Sequence, residues 1–101
     1  MAEVLKKTIE ENKVVIFSKT YCPYCTKVKN LFKSLSVPVI VLELDEREDG
    51  SEIQSAIQAK YGARTVPQVF VGGERIGGND DTQALHQKGG LEPKLRSVGA
   101  L

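Results

Sequence analysis

The sequence predicts an α/β fold, a mixed β-sheet flanked by helices on both faces, and three observations carry that prediction. Apolar, β-branched runs at residues 14–17, 39–44 and 68–71 alternate with amphipathic stretches of helical period. The first two runs are joined by one such stretch, a βαβ unit that makes its strands parallel. After the third run, Gly72-Gly73 turns the chain toward Glu74-Arg75-Ile76, a β-hairpin that adds antiparallel strands. The 101 residues are enough for one core, so residues 1–101 are read as a single domain.

Each element follows from its residues. Val4, Leu5 and Ile9 among charged neighbours predict a short helix over residues 2–11. Val14-Val15-Ile16-Phe17 suits a strand buried on both faces. Residues 18–21 form a loop, and then Val28, Leu31, Phe32 and Leu35 make the stripe of a helix that Pro38 stops. Residues 39–44 form the second strand, and the acidic stretch 45–50 is a surface loop that caps the next helix. Ile53, Ala56 and Ile57 mark that third helix, ended by Tyr61-Gly62. Beyond the hairpin, Gly77-Gly78-Asn79-Asp80-Asp81 offers Asn or Asp as the N-cap of a helix through Leu85, and a last short helix covers residues 91–97.

Composition narrows the functional classes. Apolar residues make up 41% and charged residues 27%, an ordinary balance for a globular chain. A net charge of +1 gives no electrostatic case for nucleic acid or an anionic membrane. Lys27, Lys29 and Lys33 are expected on a solvated helix face. No uninterrupted apolar stretch exceeds four residues, too short for a spanning helix. Residues 1–7 lack the pattern of a signal or transit peptide, and a cytoplasmic chain is expected.

The chemistry centres on Cys22-Pro23-Tyr24-Cys25, which contains the two cysteines of the chain. The pair sits between a strand and a helix, the setting of a redox dithiol. A bridge across so short a loop would stabilise little, so a working pair in a reducing compartment fits better than a staple. With Cys22 as N-cap and Pro23 as the first helical residue, the N–H groups of Tyr24 and Cys25 and the helix dipole favour the Cys22 thiolate, with Lys19 nearby. Cys25 lies a turn deeper and is shielded. Cys22 therefore attacks and Cys25 resolves. Zinc would need four ligands, and His86, expected on a solvated helix surface, is far away in sequence; no metal is expected.

Two further features stay open on their own. Thr65-Val66-Pro67 is either a turn proline opening a strand or a cis bond that presents the Val66 backbone to an extended substrate. Gly77 to Asp81 is either plain helix capping or a carboxylate site, with Asp80 or Asp81 available for an ammonium.

As a set, Lys19-Thr20-Tyr21-Cys22-Pro23-Tyr24-Cys25, Thr65-Val66-Pro67 and Gly77-Gly78-Asn79-Asp80-Asp81 resemble the dithiol glutaredoxins, and the likeness covers almost the whole chain. Thioredoxins, the nearest relatives, usually carry Trp-Cys-Gly-Pro-Cys, and tryptophan is missing here. The resemblance implies a thioredoxin fold with a four-stranded mixed sheet, a cis Pro67, and glutathione as co-substrate. By the family pattern Lys19 and Gln54 hold the glycine carboxylate with Tyr24 alongside, and Arg64 is a further contact. Val66 pairs with the cysteinyl backbone, positioned by Thr65. Backbone N–H groups at Asp80 take the γ-glutamyl carboxylate, and Asp81 takes the ammonium. The expected function is reduction of glutathionylated proteins and protein disulfides by a monomer. The alternative is a carrier of a [2Fe–2S] cluster shared between two subunits, against which Pro23 counts.

Overall fold

The computed structural model describes residues 2–101. Along the chain run α1 (Ala2–Glu11), β1 (Val14–Ser18), α2 (Pro23–Ser34), β2 (Ile40–Glu43), a 3₁₀ turn (Leu44–Glu46) and α3 (Gly50–Tyr61). There follow β3 (Gln68–Val71), β4 (Glu74–Gly77), α4 (Asn79–Gln87) and α5 (Leu91–Ser97). The four strands form one sheet in the order β2-β1-β3-β4. β1 is parallel to β2 and antiparallel to β3, and β4 is antiparallel to β3, as the two sequence signals predicted.

β1 divides the core. Every one of its residues is buried, and alternation sends Val15 and Phe17 to one face and Val14 and Ile16 to the other. On the first face Phe17 and Val15 meet Leu5 and Ile9 of α1 and Ile53 and Ile57 of α3. Phe70 sits edge-on to Phe17, with ring centroids 5.6 Å apart, and Tyr61 covers it from the other side at 5.3 Å. On the second face Val14 and Ile16 pack with Val28 and Phe32 of α2 and Leu91 and Leu95 of α5. The two faces thus bind helices from distant parts of the chain to one strand.

Three boundaries differ from the expectation, each for a local reason. α2 ends at Ser34, four residues before Pro38, because Ser36 takes a left-handed conformation (φ 58°). Its N–H then donates to Lys33 O and that of Val37 to Phe32 O, both at 3.0 Å, so the last carbonyls are satisfied without proline. β2 is shorter than expected, and Ile40 at its start is 45% exposed because β2 is a sheet edge. Gly50 belongs to α3 rather than to the loop. Asp49 does not cap that helix with its side chain, since Arg47 holds it by paired bonds of 2.7 and 2.9 Å.

Two surface expectations also shift. Lys29 is not simply solvated, since it pairs with Glu43 at 2.6 Å and ties α2 to β2. His86 is half-buried, and its Nδ1 is shut from solvent without a hydrogen-bond partner.

Gly50 makes a sharp test of this packing. A side chain there would overlap the Leu44 carbonyl. On an open helix Gly→Ala gains about 1 kcal/mol. Gly50→Ala is instead expected to lose about 1–3 kcal/mol through overpacking, read as a lower midpoint in urea denaturation.

Candidate active site

Cys22 is the N-cap of α2, with extended backbone (φ −89°, ψ 115°), and Pro23 is the first helical residue. The N–H of Cys25 donates to the Cys22 sulfur at 3.3 Å. That bond sets a main-chain donor on the sulfur at the positive end of the α2 dipole. Cys22 is half-buried, whereas Cys25 is fully buried behind it. Burial, reinforced by the hydrogen bond with Cys22, pushes the Cys25 thiol above the ordinary thiol range. One sulfur is therefore available to a substrate, and the other is held protonated in reserve.

The turn leading to Cys22 is fastened from the end of β2. Cys22 N–H donates to Lys19 O at 3.1 Å, closing the turn, and Thr20 inside it meets Asp45. The Thr20 N–H donates to one Asp45 oxygen at 3.0 Å and its hydroxyl donates to the other. The hydroxyl bond is the main cause holding the Asp45 carboxyl below the usual aspartate value. A depressed carboxyl supports the fold above its unfolded pKa, and that support is lost as pH falls through the lowered folded value. Asp45, the first residue of the stretch expected to be a capping surface loop, thus anchors the loop that carries the nucleophile.

Across from Cys22 stands the β3 entry. The Val66–Pro67 bond is cis, and Val66 O lies 3.7 Å from the Cys22 sulfur. Beneath this segment Gln68 is buried, only 2% exposed, and its amide donates to Thr65 O at 2.9 Å. The Gln68 amide oxygen accepts in turn from Arg75 Nε at 2.8 Å. A relay thus runs from edge strand β4 to the carbonyl just before Val66.

The far end is formed by the start of α4. Gly78, not Asn79 or Asp80, is the N-cap, and the Asp81 carboxylate accepts from its N–H at 3.2 Å. Gly77 is at φ 128°, and a side chain on it would overlap that carboxylate. Glycine is required at this crossing for both reasons.

These parts enclose one groove of about 330 Å³, lined by Tyr24, the segment Thr65-Val66-Pro67, Gln68, Arg75 and the stretch from Gly78 to Asp81. Of the residues expected from sequence, Tyr24, Thr65, Val66, Asp80 and Asp81 line it together with Pro67. Cys22 borders it through Val66. Lys19, Gln54 and Arg64 do not line it, and the Gln54 amide donates to Arg64 O at 2.9 Å instead. Gln68 and Arg75 are groove residues that sequence reasoning did not single out, and Gly78 and Asn79 enter as part of the expected motif from Gly77 to Asp81. Among the described residues no group of three or more His, Cys, Asp or Glu is placed to hold a metal.

Comparison with known proteins agrees with this geometry. The family model described as Glutaredoxin matches residues 14–76. The chain is 53% identical over 96 residues to Glutaredoxin of Ricinus communis, covering 95% of this chain and 94% of that one. It is 53% identical over 98 residues to Glutaredoxin-C4 of Arabidopsis thaliana, covering 97% and 73%. Among solved structures, the buckwheat glutaredoxin–glutathione complex superposes with a TM-score of 0.97 at 43% identity, covering 99% of this chain and 91% of that one.

The difference in burial between the two cysteines is directly measurable. At neutral pH, iodoacetamide is expected to label Cys22 and leave Cys25 unlabelled until the protein is unfolded or the pH is carried above the ordinary thiol range. Peptide mass spectrometry reads the outcome, and equal labelling of the two in the folded protein would contradict it.

Proposed function

This chain belongs to the glutaredoxin family, a thioredoxin-fold family of glutathione-dependent thiol–disulfide oxidoreductases, and from that premise we propose which residues carry the chemistry and on which substrates. The principal substrates are proteins carrying glutathione in mixed disulfide. Cys22 attacks the glutathionyl sulfur, forming a new S–S bond as the bond to the protein breaks. The protein thiolate leaves and takes a proton from water. A second glutathione, as thiolate, then attacks the glutathionyl sulfur on Cys22, giving glutathione disulfide and restoring the Cys22 thiolate.

With a protein disulfide the first bond forms between Cys22 and the protein. Cys25 must lose its proton before it attacks the Cys22 sulfur and expels the protein thiol. Burial holds its thiol protonated at rest, so Cys25 acts only where the mixed disulfide persists, as a conditional partner. Two glutathiones then reduce the Cys22–Cys25 bond.

One observation carries the role of Cys22: its sulfur lies at the start of α2, facing Val66 O at the mouth of a groove that ends at the start of α4. A tripeptide thiol laid along the groove can pair its cysteine backbone with Val66, positioned by Thr65. Its γ-glutamyl carboxylate reaches the N–H groups at Asp80, and Asp81 takes the ammonium. Tyr24 flanks the glycine end. Lys19 approaches from the loop, and Gln54 would exchange its bond with Arg64 O for the glycine carboxylate. The protein acts as a monomer in the cytoplasm, where a reducing thiol pool keeps the pair open. Size-exclusion chromatography and localisation of a fluorescent fusion check those two points.

The roles separate in two variants assayed with glutathione and glutathione reductase. Cys22→Ser is expected to lose turnover of glutathione mixed disulfides entirely. Cys25→Ser is expected to keep it within a few-fold while losing reduction of protein disulfides. Activity retained in the first, or abolished in the second, would overturn the assignment.

A further inference from the structure

Arg75 is a groove residue that the proposed reaction leaves unused. It lies on edge strand β4, is half-buried, and lines the groove together with Asp80 and Asp81. Of its three guanidinium nitrogens, only Nε has a hydrogen bond, to the buried Gln68 amide at 2.8 Å. Among the described residues it forms no ion pair, although two carboxylates share its cavity. Asp81 is turned instead to the Gly78 N–H. The groove end thus holds a cation fixed by one edge and two carboxylates that do not neutralise it.

Unpaired charges of both signs in a single small cavity suit a ligand that brings both signs itself. On glutathione only the γ-glutamyl end does so, with an ammonium and a carboxylate on the same carbon; the glycine end offers a carboxylate alone. We infer that Arg75 is a specificity-determining residue that binds the γ-glutamyl α-carboxylate through the free edge of its guanidinium, held in place by Gln68, and so selects substrates with an intact γ-glutamyl group. This rests on the glutathione reading of the groove. An arginine suits the role because its planar fork can hold Gln68 on one nitrogen and a carboxylate on the others. The same relay reaches Thr65 O, so occupancy of Arg75 also bears on the segment that faces Cys22.

The test compares Arg75→Gln and Arg75→Lys with the parent protein on mixed disulfides of 2-mercaptoethanol with glutathione and with cysteinylglycine, which lacks the γ-glutamyl group. With the glutathione disulfide, Arg75→Gln is expected to raise KM roughly five- to tenfold with kcat within twofold, the size of one charge-assisted hydrogen bond in a half-exposed site. Arg75→Lys recovers part of that loss by keeping the charge. With the cysteinylglycine disulfide, parent and Arg75→Gln are expected to match. An equal loss on both substrates would reduce Arg75 to a support for Thr65, and no loss on either would remove it from the site; each result overturns the inference. So would a loss that follows acidic residues beside the modified cysteine in glutathionylated peptides, since the carboxylate bound would then be the protein's. Calorimetric binding of S-methylglutathione gives the same comparison without turnover. Weaker binding to Arg75→Gln in a chain that reduces no mixed disulfide would uphold this inference and refute the proposed reaction.

Discussion

The site depends on a strand that meets no water. β1 is buried over its whole length and bonded on both sides, to β2 in parallel and to β3 in the opposite direction. Because the core clings to both of its faces, it cannot slip by one residue without exchanging Phe17 and Ile16 between two different helix layers. That register fixes where the chain leaves the sheet after Ser18. It also fixes the ends of its two neighbours, and these are the places where Asp45 and Pro67 stand. The cysteine turn, its tether and the opposing Val66 are therefore three strand ends brought to one edge of one sheet.

Polar groups then do locally what the core does globally. The turn before Cys22 is bonded to Asp45, the segment before Pro67 to Gln68, and the turn before α4 to Asp81. In each case a side chain satisfies main-chain groups that would otherwise need water. The main chain that walls the groove is hydrogen-bonded where a substrate backbone would lie along it. Its free groups, by contrast, are charged or reactive, namely one sulfur, one guanidinium edge and the start of a helix.

Features set by nearby residues were legible in the sequence. Proline after Cys22 announced the helix start, Gly72-Gly73 the hairpin, and Tyr61-Gly62 the end of α3, where Gly62 takes φ 72°. Misreadings arose where two neighbours competed for the same job. Ser36 ended α2 before Pro38 could, Arg47 claimed Asp49, and Gly78 took the cap that Asn79 or Asp80 was expected to provide. The relay from Arg75 through Gln68 to Thr65 had no local signature. Alternation along β4 says which face Arg75 is on, but not that a buried amide on β3 will receive it. Lys19 and Gln54 show the opposite limit: motif order names them but does not say that they stand outside the lining of this cavity.

The tether between Thr20 and Asp45 gives the perch of the reactive sulfur an acid limit of its own. The Asp45 carboxyl is held under the ordinary aspartate value of about 3.9, chiefly by the Thr20 hydroxyl. The fastening is complete above the unfolded value and is given up only as pH falls through the lowered one. A loop pinned by a carboxylate rather than by a neutral pair carries a latch that acid undoes and neutralisation closes again.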